Sequence, residues 1–274
     1  MSPGMAAFVR LLEGETGIAL DQSKRYLLDS RLATLARDQG FESVEALITR
    51  LAAEPVGPVH REAFEALTTN ETSFFRDAHC FEGLARSLLP DLMRRRRAER
   101  SIRVWSAATA TGQEAYSLAM LLAEQVPAAQ SWRIQITATD LSQRALDKAA
   151  DAHYLAHETG RGLDPARLAR HFVPTDRGWQ VRPALRSMVH FQPLNLVDTW
   201  PPLPRFDLVM LRNVLIYFSP ATRDRVLARV HRVLEPGGAL VLGAAEMIAP
   251  GGRFELVRLE RSSFYRPLAE KVVQ

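Results

Sequence analysis

The first 90 residues carry apolar side chains at the spacing of amphipathic helices. Three leucines from Leu28 to Leu35 follow an i, i+4, i+7 pattern, and a second stripe covers residues 44–51. A Pro- and Gly-rich stretch at 54–58 interrupts the pattern, and a third helix is predicted over about 60–67. Stripes of this kind usually form a core, so they predict a helical unit without assigning it a function.

From Ile102 onward, β-rich runs alternate with helical ones. The strand-like runs are Ile102–Ala107, Arg133–Thr139, Met188–Gln192, Phe206–Leu211, Ala239–Gly243, Phe254–Leu259 and Ser262–Arg266. The helical runs are Glu114–Glu124, Gln143–Ala150 and Thr222–Leu234, the last ended by Pro236-Gly237-Gly238. This alternation predicts an α/β fold with a doubly wound parallel sheet. The last two strands leave no room for a helix between them, so they predict a terminal antiparallel hairpin. An irregular stretch before the third strand contains residues 172–182, which predict a small inserted β-hairpin turning at 176–178.

Composition is that of an ordinary globular protein, with 274 residues, 47% apolar and 24% charged. No apolar run approaches the roughly 20 residues that cross a membrane. The N-terminal residues show no secretory signal, and the one cysteine, Cys80, excludes an internal disulfide. We therefore expect a cytoplasmic protein without membrane insertion.

The net charge of +4 is a small excess, and residues 1–100 hold 14 basic against 15 acidic residues. We therefore expect no nucleic-acid partner. The one dense basic run, Arg94–Arg97, is either a solvated helix end or a docking patch for an acidic partner.

The most informative stretch runs from Arg103 to Met120: a buried strand, a turn of small residues with Gly112, and an amphipathic helix. Small ligands bind at such turns in α/β sheets. Asp140 ends the next predicted strand, where an acidic side chain can accept hydrogen bonds from ribose hydroxyls. The turn with Gly112 and the acidic residue Asp140 together predict a cofactor that contains a nucleoside and lies across two adjacent strand ends.

Other polar groups have two interpretations each. The segment 68–77 is either a functional loop or a connector in which Asn70 or Thr72 caps the next helix. Glu114 is either a favourable charge at a helix N-terminus or a cofactor contact. Arg212 and Asn213 are predicted to lie where a strand ends, at the rim of the site, and Tyr217 follows them. Asn213 and Tyr217 are either satisfied core groups or functional residues of the site.

Several motifs are absent from the sequence. It contains no G-x-G-x-x-G, no Walker A pattern and no Asp/Asn-Pro-Pro-Tyr. The seven histidines are scattered, and the i, i+4 pair His153 and His157 has no accompanying carboxylate motif. We therefore expect no metal site.

Four collinear segments together resemble the CheR family of chemotaxis receptor methyltransferases. They are Thr69–Arg76, the first strand and turn with Glu114 and Tyr116-Ser117, Ala138–Leu141, and Arg212–Phe218. The resemblance implies a helical N-terminal domain over 1–75 and an S-adenosylmethionine-dependent methyltransferase domain over 76–274, with an inserted β-subdomain at about 160–190. It also implies that the acceptors are glutamate side chains on the cytoplasmic domain of methyl-accepting receptors.

The resemblance implies roles for particular residues. Matching motif positions imply cofactor contacts from Asn70, Thr72, Arg76, Glu114, Asp140, Asn195, Leu196, Arg212 and Asn213. Tyr217 would lie near the transferred methyl group, and Arg76 and Tyr217, as the catalytic residues, would orient the substrate carboxylate and the methionine end of the cofactor. A basic second helix facing the receptor would carry Lys24, Arg25, Arg31 and Arg37.

The sequence departs from the usual family pattern at the turn and near the C-terminus. Thr109, Ala110, Gln113, Ala115, Ala244 and Ala245 replace the residues usual in the family. Most of these changes keep small side chains, so cofactor binding is still expected. Two alternatives stay open: a methyltransferase of the same fold with another acceptor, and a non-catalytic signalling protein that keeps the cofactor site.

Overall fold

A computed structural model describes residues 2–20, 25–126, 132–259 and 262–269. Two compact units divide the chain. The helical unit comprises the residues up to Thr69 together with Asn195–Trp200 and Tyr217–Val226, and the α/β unit comprises the remainder.

The helical unit contains the first four helices of the chain. They are α1 (Pro3–Thr16), α2 (Arg25–Asp38), α3 (Val44–Ala53) and α4 (Pro58–Leu67). The Oγ atom of Ser43 accepts a hydrogen bond from the Ala46 N–H at 3.1 Å and so caps α3. The core of the helical unit is formed by apolar side chains from different helices, such as Phe8 of α1, Leu32 of α2 and Leu47 of α3. Within each helix these side chains recur every three or four residues. The predicted helices are confirmed.

The remaining helices belong to the α/β part of the chain or connect to it. They are α5 (Ala78–Gly83), which continues through a π-helical turn (Leu84–Leu88) into α6 (Leu89–Arg95), then α7 (Gln113–Gln125), α8 (Gln143–Asp151), α9 (Ala156–Thr159), α10 (Pro165–His171), α11 (Pro183–Arg186) and α12 (Pro220–Val233). A 3-10 turn covers Leu215–Tyr217.

The main sheet has seven strands in the order β6-β2-β1-β7-β8-β10-β9. Its strands are β1 (Ser101–Ala107), β2 (Arg133–Asp140), β6 (Val189–Pro193), β7 (Phe206–Leu211), β8 (Leu234–Leu242), β9 (Phe254–Arg258) and β10 (Ser263–Pro267). The pairs among β6, β2, β1, β7 and β8 are parallel, whereas β10 is antiparallel to both β8 and β9. The predicted α/β sheet with a terminal antiparallel hairpin is confirmed.

A second, three-stranded antiparallel sheet is inserted in sequence between β2 and β6. It consists of β3 (His153–Tyr154), β4 (Phe172–Thr175) and β5 (Gly178–Val181), in the order β3-β5-β4. The predicted hairpin is therefore present as β4 and β5. A two-residue strand, β3, lies upstream of the 160–190 stretch and adds the third member.

One sequence expectation about a strand start is wrong, although the predicted helix end at Leu234 lies within one residue of the observed end at Val233. The sequence predicts that Pro236-Gly237-Gly238 separates α12 from the next strand, but α12 ends at Val233 and these residues lie inside β8. Phe206 pairs with Leu234 and Leu208 with Ala239, so β8 bulges here by several residues against β7. The glycines permit this bulge, because a side chain at Gly238 would crowd the backbone carbonyl oxygens of β7.

Three of the four arginines in the basic run at 94–97 form ion pairs within the protein. Arg94 and Arg95 both pair with Asp91, and Arg96 pairs with Asp207 and Glu235. These contacts favour the interpretation of the run as a helix end over that of a free docking patch. In the part of the chain that the structure describes, no helix has both the length and the apolar character to cross a membrane.

A carboxylate inside the α/β unit couples stability to pH. Glu124 accepts hydrogen bonds from Arg167 at 3.0 Å and from the His171 Nε2 at 3.0 Å. Burial would raise the pKa of Glu124, but the hydrogen bonds and charges of these two partners outweigh it and lower the pKa. Protonation is thus linked to unfolding, so this stabilisation is present at neutral pH and lost as the pH falls through the lowered pKa.

We expect Glu124→Gln to reduce the free energy of unfolding at pH 7 by about 1–2 kcal/mol, because Arg167 loses its charged acceptor. The difference between variant and wild type should shrink as the pH falls from about 5 towards about 3, where carboxylates become protonated. Urea unfolding followed by circular dichroism across this range measures it. A difference that stays constant with pH would contradict the assignment.

Candidate functional site

The register of the parallel strands aligns four strand ends in one row. Ala107 of β1 pairs with Thr139 of β2 and with Leu211 of β7, and Leu211 pairs with Leu242 of β8. The residues that follow these positions therefore share the carboxyl edge of the sheet, where ligands bind in this fold class. We call this edge the rim.

The turn after β1 has an unusual backbone. Ala108, Ala110 and Gly112 have positive φ angles of 59°, 51° and 91°. A Cβ atom at Gly112 would lie 2.8 Å from that of Ala149 on α8, so the turn packs too closely for a side chain there. The small side chains predicted for the turn therefore have a packing reason, and they also leave backbone open to a ligand.

Asp140 holds this turn in place. It ends β2, it is 7% exposed, and its carboxylate accepts hydrogen bonds from the Ala110 N–H at 2.8 Å and the Ser142 N–H at 2.9 Å. The two backbone donors keep the carboxylate in one orientation at the rim. An acidic side chain at the end of this strand can accept hydrogen bonds from ribose hydroxyls.

Arg212 lies directly after β7 on the rim, and its guanidinium group binds the start of α7 and the segment before α5. Its Nη1 donates to Glu114 Oε2 at 3.0 Å, and its Nη2 donates to Asp77 Oδ2 at 2.7 Å and to the Arg76 carbonyl oxygen at 2.9 Å. Glu114, at the start of α7, also accepts from the Ser106 hydroxyl at 2.8 Å. Three of the predicted site residues are thus in contact, because Arg212 binds both Glu114 and Arg76.

The Arg212 side chain is only 2% exposed. Burial lowers its pKa, but the charges of Glu114 and Asp77 outweigh this and raise it, so the guanidinium group stays protonated. Its Nε atom is buried and has no hydrogen-bond partner among the described residues. An unpaired buried donor is costly, so a ligand that supplied an acceptor here would gain from it.

Asn213 follows Arg212 in the left-handed conformation, with φ of 58°. Its backbone N–H donates to Glu246 Oε2 at 2.8 Å. The same carboxylate accepts from the Gly243 N–H at 2.8 Å and the Ile216 N–H at 3.3 Å. Sequence reasoning does not select Glu246 as a site residue, because nothing local in the sequence shows that it reaches the segment after β7.

The segment 70–77 is fixed to α7 by a hydrogen bond from the Phe75 N–H to the Ser117 hydroxyl at 2.9 Å. Asn70, Thr72 and Arg76 are half-buried, and the Arg76 guanidinium donates to the Glu71 carbonyl oxygen at 2.9 Å. The alternative in which Asn70 or Thr72 caps the next helix is wrong, because Asp77 occupies the position before α5.

Three predicted site residues belong to the helical unit. Asn195 donates to the Glu15 carbonyl oxygen at 2.6 Å, and the Leu196 carbonyl oxygen accepts from the Trp200 Nε1 at 3.2 Å. Tyr217 is half-buried and lines a cavity of about 60 Å³ with Arg31 and Leu67.

The predicted receptor-facing cations have different environments. Lys24 lies outside the described residues. Arg25 pairs with Glu45 at 3.4 Å and Arg37 with Asp38 at 3.5 Å, both exposed. Arg31 donates to the carbonyl oxygens of Leu67 and Thr68, at 2.7 and 3.1 Å, and so caps the end of α4.

A cavity of about 550 Å³ adjoins the rim within the α/β unit. Arg212, Gly243, Glu246, Met247 and Tyr265 are among the residues that line it. Met247 is 80% exposed, so an apolar side chain that lines the cavity is also accessible to solvent. Over the described ranges, no three His, Cys, Asp or Glu side chains are grouped so as to hold a metal ion.

The rim has the donor set that a nucleoside sulfonium with an amino-acid tail requires. Asp140 offers acceptors for a ribose, the turn after β1 offers close backbone approach, and Arg212 offers an unpaired buried donor. The carboxylates of Asp140 and Glu114 suit a ligand with a net positive charge. These residues therefore fit S-adenosylmethionine.

Comparison with known proteins agrees with this fit. Residues 3–68 match the family model described as the CheR methyltransferase all-alpha domain, and residues 70–262 match the CheR methyltransferase SAM binding domain.

Three named relatives cover most of this chain. The chemotaxis protein methyltransferase Cher2 of Pseudomonas putida is 42% identical over 86% of this chain and 87% of its own length. Chemotaxis protein methyltransferase 1 of Vibrio cholerae is 38% identical over 94% of both chains. The Escherichia coli chemotaxis protein methyltransferase is 36% identical over 86% of this chain and 82% of its own. The chain therefore belongs to the CheR family of chemotaxis methyltransferases, and S-adenosylmethionine is its cofactor.

Proposed function

We propose that this methyltransferase esterifies glutamate side chains on the cytoplasmic domain of methyl-accepting chemotaxis receptors, as part of sensory adaptation. The observation that carries the proposal is the match of 86–94% of the chain to proteins named chemotaxis protein methyltransferases. We expect the enzyme to act in the cytoplasm, where such receptor segments lie.

The proposed reaction does not require the protein to transfer a proton. S-adenosylmethionine supplies a methyl group bonded to a positively charged sulfur. A glutamate carboxylate is already ionised at neutral pH and can attack the methyl carbon directly. The new carbon–oxygen bond would form as the methyl–sulfur bond breaks and S-adenosylhomocysteine leaves with the electron pair, so no general base is required. The protein contributes by aligning the two reactants and by removing water from the nucleophile.

We assign the binding roles as follows. Asp140, held by two backbone N–H groups, accepts the ribose hydroxyls. By motif position, cofactor binding is also assigned to Glu114, Arg212, Asn70, Thr72, Asn195, Leu196 and Asn213. Arg76 and Tyr217 orient the acceptor carboxylate and the methionine end of the cofactor. The four cations at positions 24, 25, 31 and 37 face the receptor. The capping contacts of Arg31 give that residue a structural role as well.

The acceptor is tested with tritium-labelled S-adenosylmethionine and a receptor cytoplasmic fragment. We expect label in the fragment that mild base releases as methanol, because carboxylate methyl esters hydrolyse readily. A fragment in which the labelled glutamate, once mapped, is changed to glutamine should lose that label. Base-stable label would indicate another acceptor, and cofactor binding without transfer to any fragment would indicate a non-catalytic member.

Asp140→Asn tests the ribose assignment. The amide cannot accept from both backbone donors and the ribose, so the Kd for S-adenosylhomocysteine should rise roughly tenfold or more, which corresponds to about 1.5–3 kcal/mol. Calorimetric titration measures it. Asp207→Asn is the matched control: this buried carboxylate lies at the start of β7, away from the rim, and binds Arg96 and the Arg103 N–H. It should lower stability and leave the Kd unchanged. An unchanged Kd in Asp140→Asn would contradict the assignment.

Tyr217→Phe tests the role of a hydroxyl group in transfer. We expect kcat to fall roughly 10- to 100-fold with little change in the KM for S-adenosylmethionine, since one hydrogen bond to the reacting groups is lost. Tyr116→Phe removes a buried hydroxyl that binds the Ala149 carbonyl oxygen and should affect stability rather than kcat. Equal kcat values for Tyr217→Phe and wild type would remove Tyr217 from the mechanism.

A further inference from the structure

We propose that Glu246 is a positioning residue for cofactor binding, which acts by holding Asn213 at the rim. The inference rests on the proposed role of Asn213 as a cofactor contact. Glu246 lies after β8, 33 residues from Asn213 in sequence, and it is held in the interior with 7% of the residue exposed.

The carboxylate of Glu246 accepts backbone hydrogen bonds from two segments at once. Oε2 accepts from the Asn213 N–H and the Gly243 N–H, both at 2.8 Å, and Oε1 accepts from the Ile216 N–H at 3.3 Å. The Glu246 N–H in turn donates to the Gly243 carbonyl oxygen at 2.9 Å, which closes a tight turn after β8. One anion thus ties the residues after β7 to those after β8.

Asn213 needs such an anchor. Its φ of 58° places it in the left-handed region, which residues other than glycine adopt infrequently. Asparagine tolerates this region better than most residues, but the conformation persists only where the surroundings impose it. The bonds from the N–H groups of Asn213 and Ile216 to Glu246 fix both ends of the short segment 213–216 and so impose it.

Gly243 completes the arrangement. A Cβ atom there would lie 2.8 Å from three atoms: the Asn213 backbone nitrogen, the Asn213 Nδ2 and Glu246 Oε2. The Asn213 side-chain amide is therefore seated directly against the backbone of residue 243. The carboxylate, the glycine and the left-handed asparagine form one unit that sets where the Asn213 amide points.

A glutamine at 246 would retain the shape and lose the function of this anchor. Its side-chain amide has one acceptor oxygen and one NH₂ donor, whereas the N–H groups of Asn213, Gly243 and Ile216 converge on the carboxylate. In either orientation the NH₂ group faces at least one backbone N–H, so the segment 213–216 is released. Because the substitution is isosteric, the packing around it is retained.

The test is a double-mutant cycle on binding of S-adenosylhomocysteine, measured by calorimetry with the full chain. The proteins are wild type, Glu246→Gln, Asn213→Ala and the double variant. We expect each single variant to raise the Kd roughly tenfold, and the double variant to bind no more weakly than Asn213→Ala alone. This non-additivity is the signature of a residue that acts through Asn213, and a general loss of stability would not produce it.

Glu158→Gln is the matched control. Glu158 also accepts a backbone N–H, that of Leu155 at 2.9 Å, and it pairs with Lys148 in the inserted part of the α/β unit. The substitution removes an anchor of the same chemical kind that binds α8 and the start of α9 rather than the segments after β7 and β8, so thermal stability should fall while the Kd stays at the wild-type value. If Glu246→Gln does not fold, Gly243→Ala replaces it in the cycle. This variant should raise the Kd, because the added methyl group displaces Asn213.

Three results would overturn the inference: a wild-type Kd in Glu246→Gln, additive losses in the double variant, or a wild-type Kd in Asn213→Ala. None of these bears on the acceptor, which the release of labelled methanol decides separately. A failure of the inference is therefore distinguishable from a failure of the proposed function.

Discussion

The rim depends on one buried cation. Arg212 binds Glu114 at the start of α7 and Asp77 at the start of α5, and it also binds the Arg76 carbonyl oxygen. Three segments that are distant in sequence are thereby joined at the end of β7. Removing one partner from such a buried group leaves an uncompensated charge, which costs about 3–5 kcal/mol, so the three segments are expected to keep their arrangement together.

Two further carboxylates at the rim accept hydrogen bonds from backbone N–H groups. Asp140 accepts N–H groups from the turns after β1 and β2, and Glu246 accepts them from the segments after β7 and β8. Charge-assisted bonds to backbone donors are short and directional, so each anion fixes two loops relative to each other. The four adjacent strand ends are therefore held in pairs, with Arg212 completing the connection. A preorganised rim suits an enzyme whose reaction relies on alignment.

Part of this arrangement follows from local sequence. The strand, small-residue turn and helix around Gly112 have a clear hydrophobic pattern, and parallel register then requires Asp140 to lie beside the turn. The same logic places Arg212 and Asn213 at the rim, because they directly follow a fully apolar strand end. The centre of the sheet is predictable for the same reason: β1, β7 and β8 are largely buried, and one helix separates β1 from β2 and another separates β7 from β8 in sequence.

Other features depend on partners that sequence spacing does not reveal. Asp77 and Glu246 are bound by residues 135 and 33 positions away, and the bulge at Pro236-Gly237-Gly238 exists only because β8 continues beside β7. Likewise, β3 is two residues long and shows no alternation of its own. The resemblance to a family supplies site residues such as Thr72 and Tyr217, whose local patterns are uninformative.

Backbone strain in the molecule is concentrated where function is proposed. Seven non-glycine residues in the described ranges have positive φ angles, and five of them lie at the rim or in the segment before α5 that Arg212 binds: Phe75, Asp77, Ala108, Ala110 and Asn213. Each such residue costs about 1–3 kcal/mol and persists only when its surroundings over-determine it. Here the surroundings are identifiable, because Ser117 holds Phe75, Arg212 holds Asp77, Asp140 holds Ala110 and Glu246 holds Asn213. The polar contacts at the rim therefore maintain a backbone shape that local preferences oppose and that a bound cofactor can use.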